Sequence, residues 1–254
     1  MSAARYPFAP TWTVLLVADP PTTPGDQAGD FPRDREPDSP MLVREALISL
    51  ARAVFAAGGQ LVLPADGEVA SLIGTVALGY IELPPAESPP REGEPVPPVT
   101  VMETRPGQGS QLSSLLAPLS IRGGLQITDV DGRVIPPRPA ESPEEPTFEP
   151  IPRHPITERM LDQAQPSLAV FLNPRPAALE ERILLRDRDI RVAVFTGSIQ
   201  DPSGLPQFAA DDPTARLLDG EPDSPWSAAP EDSRARPPYA YLMQRLVAEV
   251  SDQN

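Results

Sequence analysis

Apolar positions along this chain fall into two textures. Some form short unbroken runs of strand length, and others recur three and four residues apart. TWTVLLVAD (Thr11 to Asp19) is the first run and predicts a buried strand ending at an acid. In MLVREALISLARAVFAAGG, Val43, Leu47, Leu50 and Val54 recur at helical spacing, and Gly58-Gly59 supplies the stop. QLVLP predicts a second strand. VASLIGTVALGY predicts a second helix with Val69, Leu72, Ile73 and Val76 on its buried face. PVTVMET predicts a third strand and GSQLSSLLAPLS a short helix limited by Pro118. LQITDVDGRVIP carries Asp131-Gly132 between β-rich flanks, which fits a hairpin or one more strand and its turn. ITERMLDQA predicts a short helix leading into strand PSLAVFL. The turn NPRPA then gives way to helix ALEERILLRD and strand IRVAVFTG. The final PYAYLMQRLVAEV places Leu242, Leu246 and Val250 at helical spacing, as expected of a helix docked on the sheet.

Strands and helices that alternate through short connections predict an α/β domain: a single Rossmann-like, doubly wound parallel sheet with helices on both faces. Residues 11–250 are expected to form that one domain. The chain has 37 prolines, about three times the average share, and they concentrate outside the periodic segments. Long proline-rich loops are therefore expected at about 84–98, 136–155 and 200–236. Asp38 and Ser39 are placed to cap the first long helix, with Pro40 in its first turn.

Charge narrows the partners. The net charge of −15 sets a field that repels free nucleic acid. Every one of the 21 basic residues is arginine, so Schiff-base chemistry and a Walker-type lysine are excluded. Without cysteine there is no disulfide, thiol catalysis or thiolate metal site. One histidine, His154, allows neither a multi-histidine metal centre nor a Ser-His-Asp set. Asp129 and Asp131 sit in a DVDG turn too short for a calcium loop. No metal and no cofactor are expected. No window approaches about 18 consecutive apolar residues, so no membrane span is expected and a cytoplasmic location is the default.

In open α/β sheets ligands bind beyond the carboxyl ends of the strands. The residues predicted at those ends are Asp19 and Thr22, then Asp66, Gly67 and Glu68, then Asn173 and Arg175, and finally Thr196 and Gly197.

The element order and two of these turns resemble the SLOG group of Rossmann-like domains. That group includes LOG-type phosphoribohydrolases, Smf/DprA proteins and nucleotide-sensing domains of bacterial defence systems. LOG enzymes carry GGGxxGLMGxVA after the second strand. The comparable segment is PADGEVASLIGTVALG, with Leu72-Ile73-Gly74 at the Leu-Met-Gly position and Val76-Ala77 at the final Val-Ala. LOG enzymes also carry PGGxGTxxE after the fourth strand, and there this chain has Asn173 to Glu181. Only the terminal glutamate, Glu181, is kept. Arg159, in the helix before that strand, stands about where those enzymes hold a catalytic arginine. The resemblance spans roughly Thr11 to Gly197 as element order.

The departures carry chemistry. Phosphate is cradled by inward-pointing backbone N–H groups at a helix start, and glycines permit the close approach. Pro174 and Pro176 each delete an N–H, and Asp66 and Glu68 add negative charge. Arg175 could replace lost donors by pointing inward. The resemblance thus implies a degenerate pocket: a module binding a nucleotide or nucleotide-derived signal, as in bacterial stress or defence systems, without phosphoribohydrolase turnover. Two alternatives stay open. One is a divergent nucleotide N-glycosidase with Glu181 as acid/base and Arg159 on the phosphate. The other is a ligand-free subunit that contacts a protein partner through its acidic, proline-rich loops. LOG-type relatives also dimerise, which implies a homodimer as one arrangement. The same residues have structural uses: Arg159 and Glu181 as ion-pair members, Asp66 and Glu68 as helix caps, and Gly67 and Gly74 for close packing.

Overall fold

Strands and helices alternate along the chain, and the sheet shows why the apolar runs are unbroken. The computed structural model describes residues 12–18, 39–81, 97–106, 108–138, 156–172, 181–195, 215–217 and 239–251. Its strands are β1 (Thr13–Ala18), β2 (Gln60–Pro64), β3 (Val99–Met102), β4 (Gln126–Thr128), β5 (Val134–Ile135), β6 (Leu168–Leu172), β7 (Arg191–Phe195) and β8 (Ala215–Leu217). They form one sheet in the order β5-β4-β3-β2-β1-β6-β7-β8. Every neighbouring pair is parallel except β4 with β5. From β1 the chain runs outward through β2, β3 and β4. It then returns to the other side of β1 with β6, β7 and β8.

The described helices are α1 (Ser39–Ala56), α2 (Gly67–Ala77), α3 (Gln108–Leu115), α4 (Ala117–Ile121), α5 (Glu158–Ala164), α6 (Arg182–Arg186) and α7 (Tyr239–Ser251). They cover both faces of the sheet. Val14, Leu16, Leu61, Leu63, Val99, Val101 and Ile127 join one core with residues of α1, α2, α3 and α7. The alternate positions Leu15, Val17, Val62, Met102, Ala169 and Phe171 join a second core with Ile156 and with residues of α5 and α6. A strand buried on both faces has no solvent side to mark with polar residues, so its sequence is continuously apolar.

α1 is built as its spacing predicts. Val43, Leu47, Leu50 and Val54 are all buried, and each contributes about 1.5–3 kcal/mol relative to an exposed position. Its end is a Schellman closure. Gly58, at φ +78°, donates its N–H to the carbonyl of Phe55, and Gly59 donates to that of Val54. Gly59 also lies against Trp12, so that a Cβ there would meet the indole ring at 2.5 Å. Phe55 packs edge-on to Tyr80 with ring centroids 5.6 Å apart, tying α1 to the single 3-10 turn (Leu78–Tyr80) that follows α2. In α7, Met243, Leu246, Val247 and Val250 are buried in the first core.

The structure sharpens two expectations and changes a third. Pro118 divides the expected helix: α3 ends at Leu115, and the proline stands in the first turn of α4, where its missing N–H costs nothing. The DVDG segment resolves as the turn of the antiparallel β4–β5 hairpin, so β5 is an edge strand. Within 200–236, expected to be loop, residues 215–217 pair with β7 as β8; three residues are too few to show a period. The remainder of the three proline-rich stretches lies almost wholly outside the described residues, as do Asp38 and His154. No described helix is long and apolar enough to cross a membrane.

Candidate functional site

Seven strands point the same way, so their carboxyl ends form one rim. Its middle is the end of β1 beside the end of β6, where Ala18 pairs with Leu172. β2, β3 and β4 extend the rim in step. The Ala65 amide donates to the carbonyl of Met102 and the Glu103 amide to that of Thr128, both at 2.9 Å.

At the β2 end, Asp66 has extended backbone (φ −143°, ψ 118°), and its carboxylate accepts the Val69 N–H at 2.8 Å. That is the N-cap of α2, with Glu68 exposed in the first turn, so the turn carries its own anion. Gly67 and Gly74 serve packing. A Cβ on Gly67 would lie 2.8 Å from Leu115 Cδ2, and one on Gly74 would lie 2.7 Å from Leu125 Cδ2.

Arg159 lies in the first turn of α5, with its side chain 60% exposed and ion-paired to Asp131 in the β4–β5 turn. Gln163 Nε2 donates to the Val130 carbonyl, and Arg188 pairs with Asp162, so α5 is fastened on two sides. Glu181 is only 8% exposed, and its Oε2 accepts the Ile156 N–H at 3.2 Å. Arg159 and Glu181 therefore both hold α5, each through a different partner. Asp19, Thr22, Asn173, Arg175, Thr196 and Gly197 lie outside the described residues.

Sequence reasoning missed two buried polar residues on this rim. Glu103 and Thr128 are each 5% exposed, at the ends of β3 and β4. Among the described residues, the Thr128 hydroxyl has no hydrogen-bond partner. The only signal for either was a polar residue closing an apolar run. Asp129 Oδ1 accepts the N–H groups of Asp131 at 2.8 Å and Arg133 at 2.9 Å. The Arg133 amide is the main cause that holds the Asp129 carboxyl below its ordinary value. Among the described residues, no three His, Cys, Asp or Glu side chains converge as a metal site.

No protein-family model, curated protein or solved structure matches this chain.

Proposed function

We propose that this chain is a Rossmann-like, SLOG-type binding module. It would take a nucleotide or nucleotide-derived signal at the carboxyl rim between β1 and β6. One observation carries the reading: Ala18 and Leu172 end neighbouring parallel strands, and the strand order runs outward from them in both directions. Where connections leave such a pair toward opposite faces, the chain parts and opens a crevice above the strand ends. Sequence adjacency adds support. Asp19 is bonded directly to Ala18, and Asn173 to Leu172, so residues of these turns begin within about 4 Å of the strand ends. Arg175, two residues further on, is the cation assigned to the ligand's anionic group.

Binding without turnover fits the turn after β2. Asp66 occupies a donor that a phosphate cradle would offer, and Gly67 is used against Leu115 rather than for ligand approach. Isothermal titration with nucleoside monophosphates, ADP-ribose and cyclic dinucleotides tests the reading. Saturable binding that weakens at least tenfold in Arg175→Ala is expected. Absence of heat at millimolar concentration of every probe overturns it.

A further inference from the structure

We infer that the Asp131–Gly132 pair in the β4–β5 turn is a site of spontaneous covalent modification, where Asp131 rearranges to isoaspartate and loosens the hold of the hairpin on α5. The inference is independent of any ligand at the rim.

An aspartate followed by glycine is chemically weak because no Cβ on the second residue screens its nitrogen. The Gly132 nitrogen attacks Cγ of Asp131, and an N–C bond forms. One carboxyl oxygen leaves as water, carrying the amide proton and a proton from solvent. The five-membered succinimide then takes up water again. Opening at one carbonyl restores aspartate. Opening at the other leaves the main chain running through Cβ, with the α-carboxylate as a branch.

The structure separates the two Asp-Gly pairs among the described residues. At Asp66–Gly67 the aspartate is buried, its carboxylate accepts the Val69 N–H, and Gly67 is packed against Leu115 at the start of α2. Ring closure there requires the first turn of α2 to open. At Asp131–Gly132 both residues are exposed, the Asp131 side chain is 39% accessible, and Gly132 takes φ +81°. Two contacts restrain this pair. Gly132 donates its N–H to the Asp129 carbonyl at 3.0 Å, and Arg159 holds the Asp131 carboxylate. Both lie at the surface, where water competes and opening costs little.

The same turn reaches α5 twice, through Asp131 to Arg159 and through the Val130 carbonyl to Gln163. Isoaspartate inserts one more main-chain atom between Asp131 and Gly132. That atom shifts the Arg133 N–H away from Asp129 Oδ1 and carries the carboxylate off Arg159.

The experiment ages the full chain at neutral pH, folded and in urea. Trypsin releases each pair in its own peptide, cutting after Arg122 and Arg133 for one and after Arg52 and Arg91 for the other. Electron-transfer fragmentation then locates isoaspartate. In the folded chain Asp131 should convert at least about tenfold faster than Asp66, which reacts only through opening; in urea the two should convert alike. Arg159→Gln should speed conversion of Asp131 by about threefold and leave Asp66, the internal gauge of unfolding, unchanged. Aged wild type should exchange the Leu161 and Gln165 amides of α5 faster than fresh protein. Asp131→Glu, which cannot close a five-membered ring, should not change on ageing. Equal conversion of the two aspartates in the folded chain, or none at Asp131 while the urea sample converts, overturns the site. An unchanged rate in Arg159→Gln overturns the restraint by the ion pair, and unaltered exchange in aged wild type overturns the loosening of α5.

Discussion

The carboxylate of Asp66 accepts the amide hydrogen of Val69 at 2.8 Å, closing the first turn of α2 at the carboxyl end of β2. Asp66→Ala leaves the Val69 amide without its partner in a buried position and should cost about 1 kcal/mol. Asp66→Asn keeps a capping oxygen and should cost only a fraction of that. Urea unfolding midpoints of the two variants measure the difference.

Gly59 lies where any Cβ would press on the Trp12 ring, which is rigid and itself buried. Gly59→Ala should destabilise by about 1–3 kcal/mol, the range for overpacking a close-packed site. The indole fluorescence of the folded variant should also shift, since its ring must move to admit the methyl group.

Thr100 links three strands on the second face of the sheet. Its hydroxyl oxygen accepts Nε2 of Gln60 and Nε2 of Gln126, both at 2.9 Å. Thr100→Val preserves shape and removes one acceptor from each amide, although Gln60 Nε2 keeps its bond to the Pro97 carbonyl at 3.1 Å, and should cost about 1 kcal/mol. Thr100→Ser keeps the acceptor and should recover most of the loss. Denaturation of both variants at one pH checks the ordering.

Asp129 titrates lower in the folded hairpin than its ordinary value of 3.8, first because the Arg133 N–H binds the charged form and also because the Asp131 N–H does. A depressed carboxyl pKa stabilises the fold above the unfolded value, and that contribution is lost as pH falls through the folded one. The wild type should therefore lose stability from about pH 4 downward, and Asp129→Asn should show a shallower acid limb. Unfolding midpoints measured from pH 6 to 2 test the sign.

Much of the fold was legible locally. The spacing of Val43, Leu47, Leu50 and Val54 and the Gly58-Gly59 stop define α1 without any tertiary information. The unbroken runs of β1, β2, β6 and β7 likewise announce strands buried on both faces. Asp66 was legible as a cap because an acid before an apolar periodic segment satisfies helix donors through short-range geometry. Three-residue β8 was not legible, since its only support is β7 beside it.

The candidate site divides the same way. Sequence alone determined which segments end at the rim, because burial period and turn chemistry are properties of a few neighbouring residues. Only the tertiary structure decided that Glu181 would meet Ile156, that Arg159 would meet Asp131, and that Glu103 and Thr128 would be buried at the ends of β3 and β4. Those partners are 25 and 28 residues apart. Their pairing depends on how α5 seats against the sheet and the β4–β5 turn, a long-range packing outcome that no local period encodes.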